Sequence, residues 1–192
     1  MTDGMVGLLP VAMYWKALTG EAPRRGDNML SHRYACYNTY ETADGRHLAV
    51  GAVESKFWKA ICERLGLEKY AHFQYDDSRR KEIVAAFRDT FRTKTMAQWE
   101  AELAGLDLCI SGIRTADEAV DFGLFREREM FVKAPGASGK EEAAIGVPVK
   151  LSRTPGQVRN ASVAFGQDTA AILHELGYRA EKIAEFDAMG II

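Results

Sequence analysis

The segment covering residues 37–66 constrains the fold most, because it is typical of a β-hairpin that runs straight into an amphipathic helix. Asp44-Gly45 is a strong hairpin-turn signal, since both positions tolerate positive φ. Leu48, Val50 and Ala52 alternate on one face of the return strand. Ser55 begins the helix, whose apolar residues are Phe57, Trp58, Ile61, Cys62 and Leu65, and Gly66 ends it.

The rest of the chain predicts further helices and short strands. Residues 3–18, with caps at Thr2 and Asp3 and a stop at Gly20, predict a helix that is apolar nearly all round and therefore expects neighbours on most sides. Ser78 is expected to cap another helix. Capping boxes are predicted at Thr95 with Gln98 and at Thr115 with Glu118. Strands are expected near residues 108–113, 130–134 and 146–151, and helices at 167–176 and 180–189. The fold class is α/β or α+β.

Composition excludes several classes of function. The chain has 192 residues, 47% hydrophobic and 27% charged, which is typical of a globular domain. A net charge of −2 offers no basic field for nucleic acid or an anionic membrane. The apolar start is interrupted by Pro10 and Lys16, so it is too short to span a bilayer. The three cysteines form no Cys-x-x-Cys pair, so we expect free thiols in the cytoplasm and no metal site.

Few residues suggest chemistry on their own. The sequence has no glycine-rich phosphate loop and no Gly-x-Ser-x-Gly motif, and its four histidines are not at ligand spacing. Only Glu54 stands out. It continues the alternation of the preceding strand, which would direct it inward to a site. The alternative is a carboxylate that favours the helix start electrostatically. Both interpretations stay open on spacing alone.

Several segments together resemble the family III CoA-transferases, also called the carnitine-dehydratase and bile-acid-inducible family, and within it the α-methylacyl-CoA racemase branch. These segments are "GDNML", "YNTYETADGRHLAVGAVESKFWKAICERLGL", "DLCISGIRTADEAV", "MFVK", "GVPVKLSRTP" and "FGQDTAAILHELGY". The resemblance covers only the C-terminal half of a family member, because "MTDGMVGLL" resembles an internal family segment. It implies a CoA thioester as substrate and no metal cofactor.

The resemblance also implies that the chain contributes to two domains. Residues 1–33 and 151–192 belong to a large domain, and residues 34–150 form the small α/β domain. The catalytic aspartate of the family lies outside the matched half, and Asp3 does not take its place. Family members form interlocked dimers. We therefore expect a homodimer or a complementing N-terminal half as partner, and apolar helices at both ends that mediate association.

Glu54 is the residue that carries over from the family. The matching glutamate of the racemase branch lies close to the active site, so Glu54 is expected to hold a cationic partner. Where the family has a glycine-containing loop, this chain has Ser31, His32 and Arg33. We expect these three residues to bind the substrate, and we expect Arg33 to do so by contacting a phosphate or carboxylate group. Two functions follow: part of an acyl-CoA transferase or racemase that is inactive alone, or a non-catalytic remnant that self-associates or binds a partner.

Overall fold

The computed structural model describes all 192 residues, which form two compact units, Met1–Ile113 and Arg114–Ile192. The elements of the first unit are α1 (Thr2–Val6), α2 (Pro10–Thr19), β1 (Tyr37–Glu41), β2 (His47–Gly51), α3 (Ser55–Arg64), a 3-10 turn (Glu68–Tyr70), α4 (Arg80–Phe91), α5 (Met96–Leu103) and β3 (Ile110–Gly112). Those of the second are α6 (Ala116–Asp121), α7 (Gly123–Glu127), β4 (Phe131–Pro135), β5 (Glu141–Ile145), α8 (Thr169–Glu175) and α9 (Ala180–Ala188). Helices and antiparallel strands are mixed in both units, which confirms the prediction of an α/β or α+β fold and, because the strands are antiparallel, favours α+β. The division at residues 33 and 150 stays a prediction.

The predicted hairpin forms the sheet of the first unit. β1 pairs with β2 and β2 with β3, all antiparallel. The turn closes through the Thr42 N–H, which donates to the Arg46 carbonyl over 2.8 Å, and Gly45 takes the left-handed φ of 73°. The inner face carries Leu48 and Val50, both buried as the alternation predicted.

Three helices supply the rest of this core. Trp58 of α3 stacks on Phe87 of α4, with ring centroids 5.1 Å apart and planes inclined by 11°. Phe91 meets Tyr40 of β1 at 5.0 Å and Trp99 of α5 at 5.3 Å. All five rings are buried. The indole N–H of Trp99 donates to the Phe91 carbonyl over 2.8 Å, so burial leaves this polar group bonded.

Most predicted helix ends are confirmed. Both capping boxes form, at Thr95 with Gln98 and at Thr115 with Glu118. Gly66 ends α3 with a φ of 68°. The cap at Ser78 is wrong: the Ser78 hydroxyl donates to the Asp76 carboxylate over 2.6 Å, which closes a local turn, and α4 begins at Arg80 without a side-chain cap.

The N-terminal helix is two helices, so the single helix over residues 3–18 is a wrong prediction. Proline lacks an N–H and favours the first helical position, so Pro10 begins α2 and α1 ends before Gly7. The predicted stop at Gly20 is confirmed by its φ of 77°. Neither helix buries a residue, and Leu8 between them is 74% exposed.

In the second unit, β4 matches the expected strand, whereas the partner strand lies earlier than predicted. A turn closed by the Gly136 N–H and the Lys140 carbonyl, 2.8 Å apart, pairs Pro135 with Glu141. Residues 146–151 are irregular, since Pro148 has no N–H to donate to a ladder. The two C-terminal helices form slightly inside their predicted bounds and bury no residue.

Candidate functional site

Glu54 lies at the junction of β2 and α3. The strand ends at Gly51, whose carbonyl accepts the Val53 N–H over 2.9 Å and so turns the chain before the alternation can reach Glu54. Glu54 becomes the N-cap residue of α3, with an exposed side chain that makes no capping hydrogen bond. It therefore does not point inward. Its carboxylate stands at the end of a helix where negative charge is favoured.

Two residues from the connector before α4 fix this junction, and we call them the Gln74–Tyr75 brace. The Gln74 amide donates to the carbonyls of Ala52 and Val53, over 3.1 and 2.7 Å. The Tyr75 hydroxyl also donates to the Val53 carbonyl, over 2.7 Å. Burial, with further contributions from the Cys36 thiol and the Glu54 carboxylate, raises the pKa of Tyr75 to about 12. Tyr75 therefore remains a hydrogen-bond donor at neutral pH.

The Ser31–Arg33 loop precedes β1 and is held by backbone contacts. The Ser31 N–H donates to the Asn28 carbonyl over 3.0 Å. The Asn38 side-chain amide donates to the His32 carbonyl over 3.1 Å. His32 itself has a φ of 65°, which is uncommon for a residue other than glycine, and its side chain is exposed. The loop therefore presents the imidazole to solvent.

Arg33 is bound by carboxylates of its own chain. Its guanidinium donates twice to Asp77, over 2.9 and 3.1 Å, and once to Asp27 over 2.9 Å. Arg80 adds a second bond to Asp27. The hydrogen bond from Arg33 holds the pKa of Asp77 below its ordinary value, and the pKa of Arg33 is raised in turn. A recess of about 470 Å³ opens beside this network. The role of Arg33 in substrate binding stays a prediction.

The outward face of the sheet carries a second concavity, which we call the β2 groove. It has a volume of about 350 Å³. Its floor is formed by Ala49 and Gly51, the two small residues of β2 that point away from the core. Around this floor lie residues of the neighbouring strands and of the loop before β1: His32, Tyr37, Asn38, Thr39, Cys109 and Ser111.

The structure thus separates the predicted site residues into two groups. His32 lines the β2 groove with Cys109. Burial, and after it the carboxylates of Asp107 and Glu54, raise the pKa of the Cys109 thiol. Arg33 belongs to the ion-pair network. The sequence did not indicate the brace or the groove. One signal for the groove was available in the sequence, because the small residues Ala49 and Gly51 alternate along β2 with the larger residues Leu48 and Val50.

No group of three or more histidine, cysteine, aspartate or glutamate side chains is arranged to hold a metal ion. None of the helices has the length and apolar character needed to cross a membrane.

Comparison with known proteins agrees with the resemblance seen in the sequence. The model of CoA-transferase family III matches residues 1–169. The α-methylacyl-CoA racemases of Mus musculus and Homo sapiens are 33% and 34% identical to this chain, over 88% and 90% of its length. A CAIB/BAIF family protein from Brucella suis superposes with a TM-score of 0.65 over 91% of the chain at 20% identity, which is evidence for the fold alone.

The chain spans less than half the length of these proteins. It covers 44% of each racemase and 46% of the Brucella suis structure.

Proposed function

The chain belongs to CoA-transferase family III, and from that premise we propose that it is the part of an acyl-CoA transferase or racemase that borders the acyl end of a CoA thioester. The carrying observation is the family match over residues 1–169. The racemase names of the mouse and human relatives favour chemistry at the carbon next to the thioester carbonyl.

Catalysis is proposed to require residues outside these 192. The chain covers 44% of the racemases, and the resemblance assigns the catalytic aspartate to the other part of the family sequence. Without that part, acyl transfer through a carboxylate has no nucleophile, and proton exchange at the α-carbon has no base. Loss of such a group typically lowers the rate by several orders of magnitude.

Glu54 is proposed as a supporting residue of this site. Its carboxylate is exposed at the start of α3, and the brace holds the backbone on its N-terminal side. An exposed carboxylate on a fixed backbone is suited to orient a cationic or hydrogen-donating group supplied by the rest of the enzyme. Ser31, His32 and Arg33 are proposed to border the same substrate, His32 by its side chain and Arg33 by fixing the loop. We further propose a cytoplasmic location.

The test is deuterium exchange. The 192-residue chain is incubated with 2-methylacyl-CoA in heavy water, alone and with a polypeptide covering the N-terminal part of a family member. We expect no exchange above a no-protein control for the chain alone, and exchange or CoA transfer for the mixture. Glu54→Gln should lower the activity of the mixture, while Glu63→Gln, on the same helix, should leave it unchanged. Exchange by the chain alone, or an inactive mixture, contradicts the proposal.

A second candidate is a non-catalytic module that self-associates or binds a partner chain. The observation that favours it is the exposure of large apolar side chains on helices without a buried residue. At the N-terminal end Leu8, Leu9 and Met13 are exposed and Trp15 is half-buried; at the C-terminal end Ile172 is exposed and Phe186 is half-buried. Apolar surface of this kind is normally covered in an oligomer. We propose a homodimer, which is compatible with either function.

A further inference from the structure

We propose that the β2 groove binds the acyl end of the thioester and selects a short, uncharged acyl group that carries a hydroxyl. The inference rests on the proposed function, because it takes the thioester as the ligand. It names the part of the substrate that this chain recognises.

The strand register explains why the groove exists. Thr39 of β1 and Ser111 of β3 both pair with Ala49, and Tyr37 pairs with Gly51. Two strand spacings of about 4.8 Å separate the outer strands, so the walls stand about 10 Å apart over a floor of minimal side chains. A volume of about 350 Å³ is at the lower end for small-molecule sites, which favours a short acyl group.

Several polar groups of the groove have no partner within the chain. The hydroxyls of Thr39 and Ser111, the Cys109 thiol and the His32 imidazole make no hydrogen bond to another residue, in contrast to the Asn38 amide, which bonds to His32 and Thr39 backbone atoms. Two hydroxyls and an imidazole around one floor can both donate to and accept from a ligand. An alcohol group is the matching chemistry.

The backbone at the groove is strained at two places. Three residues other than glycine have a left-handed backbone, and two of them, His32 with a φ of 65° and Cys109 with a φ of 52°, line this groove. Such conformations cost energy and cluster where a ligand is held. His32 precedes β1 and Cys109 precedes β3, so the two residues line the groove from opposite edges of the sheet.

The charges near the groove disfavour an acidic acyl group. No lysine or arginine lines it, and the nearest guanidinium in sequence, Arg33, is engaged by Asp27 and Asp77. The carboxylates of Asp107 and Glu54 act electrostatically on Cys109 at its wall, and the Lys56 ammonium acts there in the opposite sense and more weakly. A carboxylate on the acyl chain would meet two carboxylates against one ammonium here and would find no cation in the groove lining to pair with, whereas a hydroxyl would not be repelled.

The experiment compares three probes on the isotope-labelled 192-residue chain by NMR. They are the N-acetylcysteamine thioesters of 3-hydroxybutyrate, butyrate and succinate. We expect the hydroxybutyryl probe to bind roughly five-fold more tightly than the butyryl probe, the effect of about one hydrogen bond, and the succinyl probe most weakly. Amide shifts should be confined to the groove strands. Equal binding of the three, tighter binding of the succinyl probe, shifts elsewhere or no binding overturns the proposal.

Two variants and a control locate the contacts. Ala49→Val fills the floor and should abolish the shifts. Thr39→Val keeps the side-chain shape and should remove the preference for the hydroxybutyryl probe. His47→Val changes an outward residue of β2 that lies outside the groove, and it should leave binding unchanged. Equal effects of Thr39→Val and His47→Val contradict the proposal.

This binding preference is measured without catalysis, so the two proposals fail separately. If the groove is selective but the mixture with the N-terminal part shows no exchange, the proposed enzyme function is contradicted and the groove proposal is not. If the mixture is active but Thr39→Val leaves its acyl preference unchanged, the groove proposal is contradicted and the proposed enzyme function is not.

Discussion

The region from β1 to β3 and the two N-terminal helices are both rich in large apolar residues, yet they use them in opposite ways. In the first, the rings of Trp58, Phe87 and Phe91 have no exposed surface. In the second, no residue of α1 or α2 is buried. The difference follows the arrangement of the side chains. A helix with one apolar stripe can complete a core locally, whereas a helix that is apolar all round exposes part of that surface until something covers it.

Length adds to this contrast. α1 and α2 contain 5 and 10 residues. Helices shorter than about 12–15 residues are marginal in water unless they pack against something. The central helices obtain that packing from the sheet. We infer that α1 and α2 obtain theirs from a second chain, which makes their apolar residues important for association rather than for the stability of one chain.

The largest effect is expected from the core. Phe87→Ala should lower the free energy of unfolding by about 3–5 kcal/mol, because the ring is enclosed by Trp58 and Tyr40 and its loss leaves a cavity. Leu8→Ala should change it by less than about 0.5 kcal/mol. Chemical denaturation at a concentration where the chain is monomeric measures both. Similar losses for the two variants would remove the contrast between the regions.

Association is the next test. Leu8→Glu and Met13→Glu should each raise the dissociation constant of the homodimer roughly ten-fold or more, because a charge would enter an apolar contact. Light scattering over a range of concentrations measures it. Val149→Glu is the control, an exposed apolar position outside the helices. A wild-type chain that stays monomeric, or a control that weakens the dimer equally, contradicts the inference.

Local signals predicted most of the fold. The Asp44-Gly45 turn, the alternation of β2 and both capping boxes depend on residues a few positions apart, and the structure confirms them. The wrong predictions arose where two local signals competed. The Ser78 hydroxyl bonds to Asp76 and therefore does not cap α4. The turn at Gly136 is tighter than expected, so β5 begins earlier in the chain than the predicted strand.

The candidate site was less predictable, because its contacts join distant residues. Spacing and the family resemblance both pointed to Glu54, and spacing alone left open whether it faces a site or lies at the helix start. Gln74 and Tyr75 reach a carbonyl more than twenty residues earlier in the chain. No periodicity indicates such a contact, because it depends on where the connector before α4 crosses the end of the sheet. The β2 groove requires three strands in register, and only two of them are adjacent in sequence.

The brace lies at the edge of the core, so an intermediate effect is expected there. Tyr75→Phe should cost about 0.5–1.5 kcal/mol, since one donor to the Val53 carbonyl is lost while Gln74 remains. The pKa of Tyr75 is about 12 in the folded chain against an ordinary 10.0. Its contribution is therefore complete below pH 10 and declines as the pH rises towards 12.

Unfolding of the wild type and Tyr75→Phe at pH 8 and at pH 11 tests both statements. The difference between the two should shrink at the higher pH. Tyr14→Phe is the matched control, because Tyr14 is exposed on α2 and makes no hydrogen bond through its hydroxyl, and it should give no difference at either pH. A difference for Tyr75→Phe that is constant with pH would contradict the assigned hydrogen bond.

The smallest effect is expected at Glu54, which lies in the well-packed region but resembles the N-terminal helices in its exposure. Glu54→Gln should lower the free energy of unfolding by less than about 1 kcal/mol, because its carboxylate interacts only with the positive end of α3 and with water-screened neighbours. Glu63→Gln is the matched control. Glu63 lies in the last turn of the same helix, where a carboxylate is unfavourable, so its neutralisation should be neutral or slightly stabilising. Both effects should shrink in high salt. A loss above about 2 kcal/mol for Glu54→Gln would exceed any helix-end effect. It would mean that the carboxylate has a structural partner, and the proposed role of Glu54 in the thioester site would lose its basis.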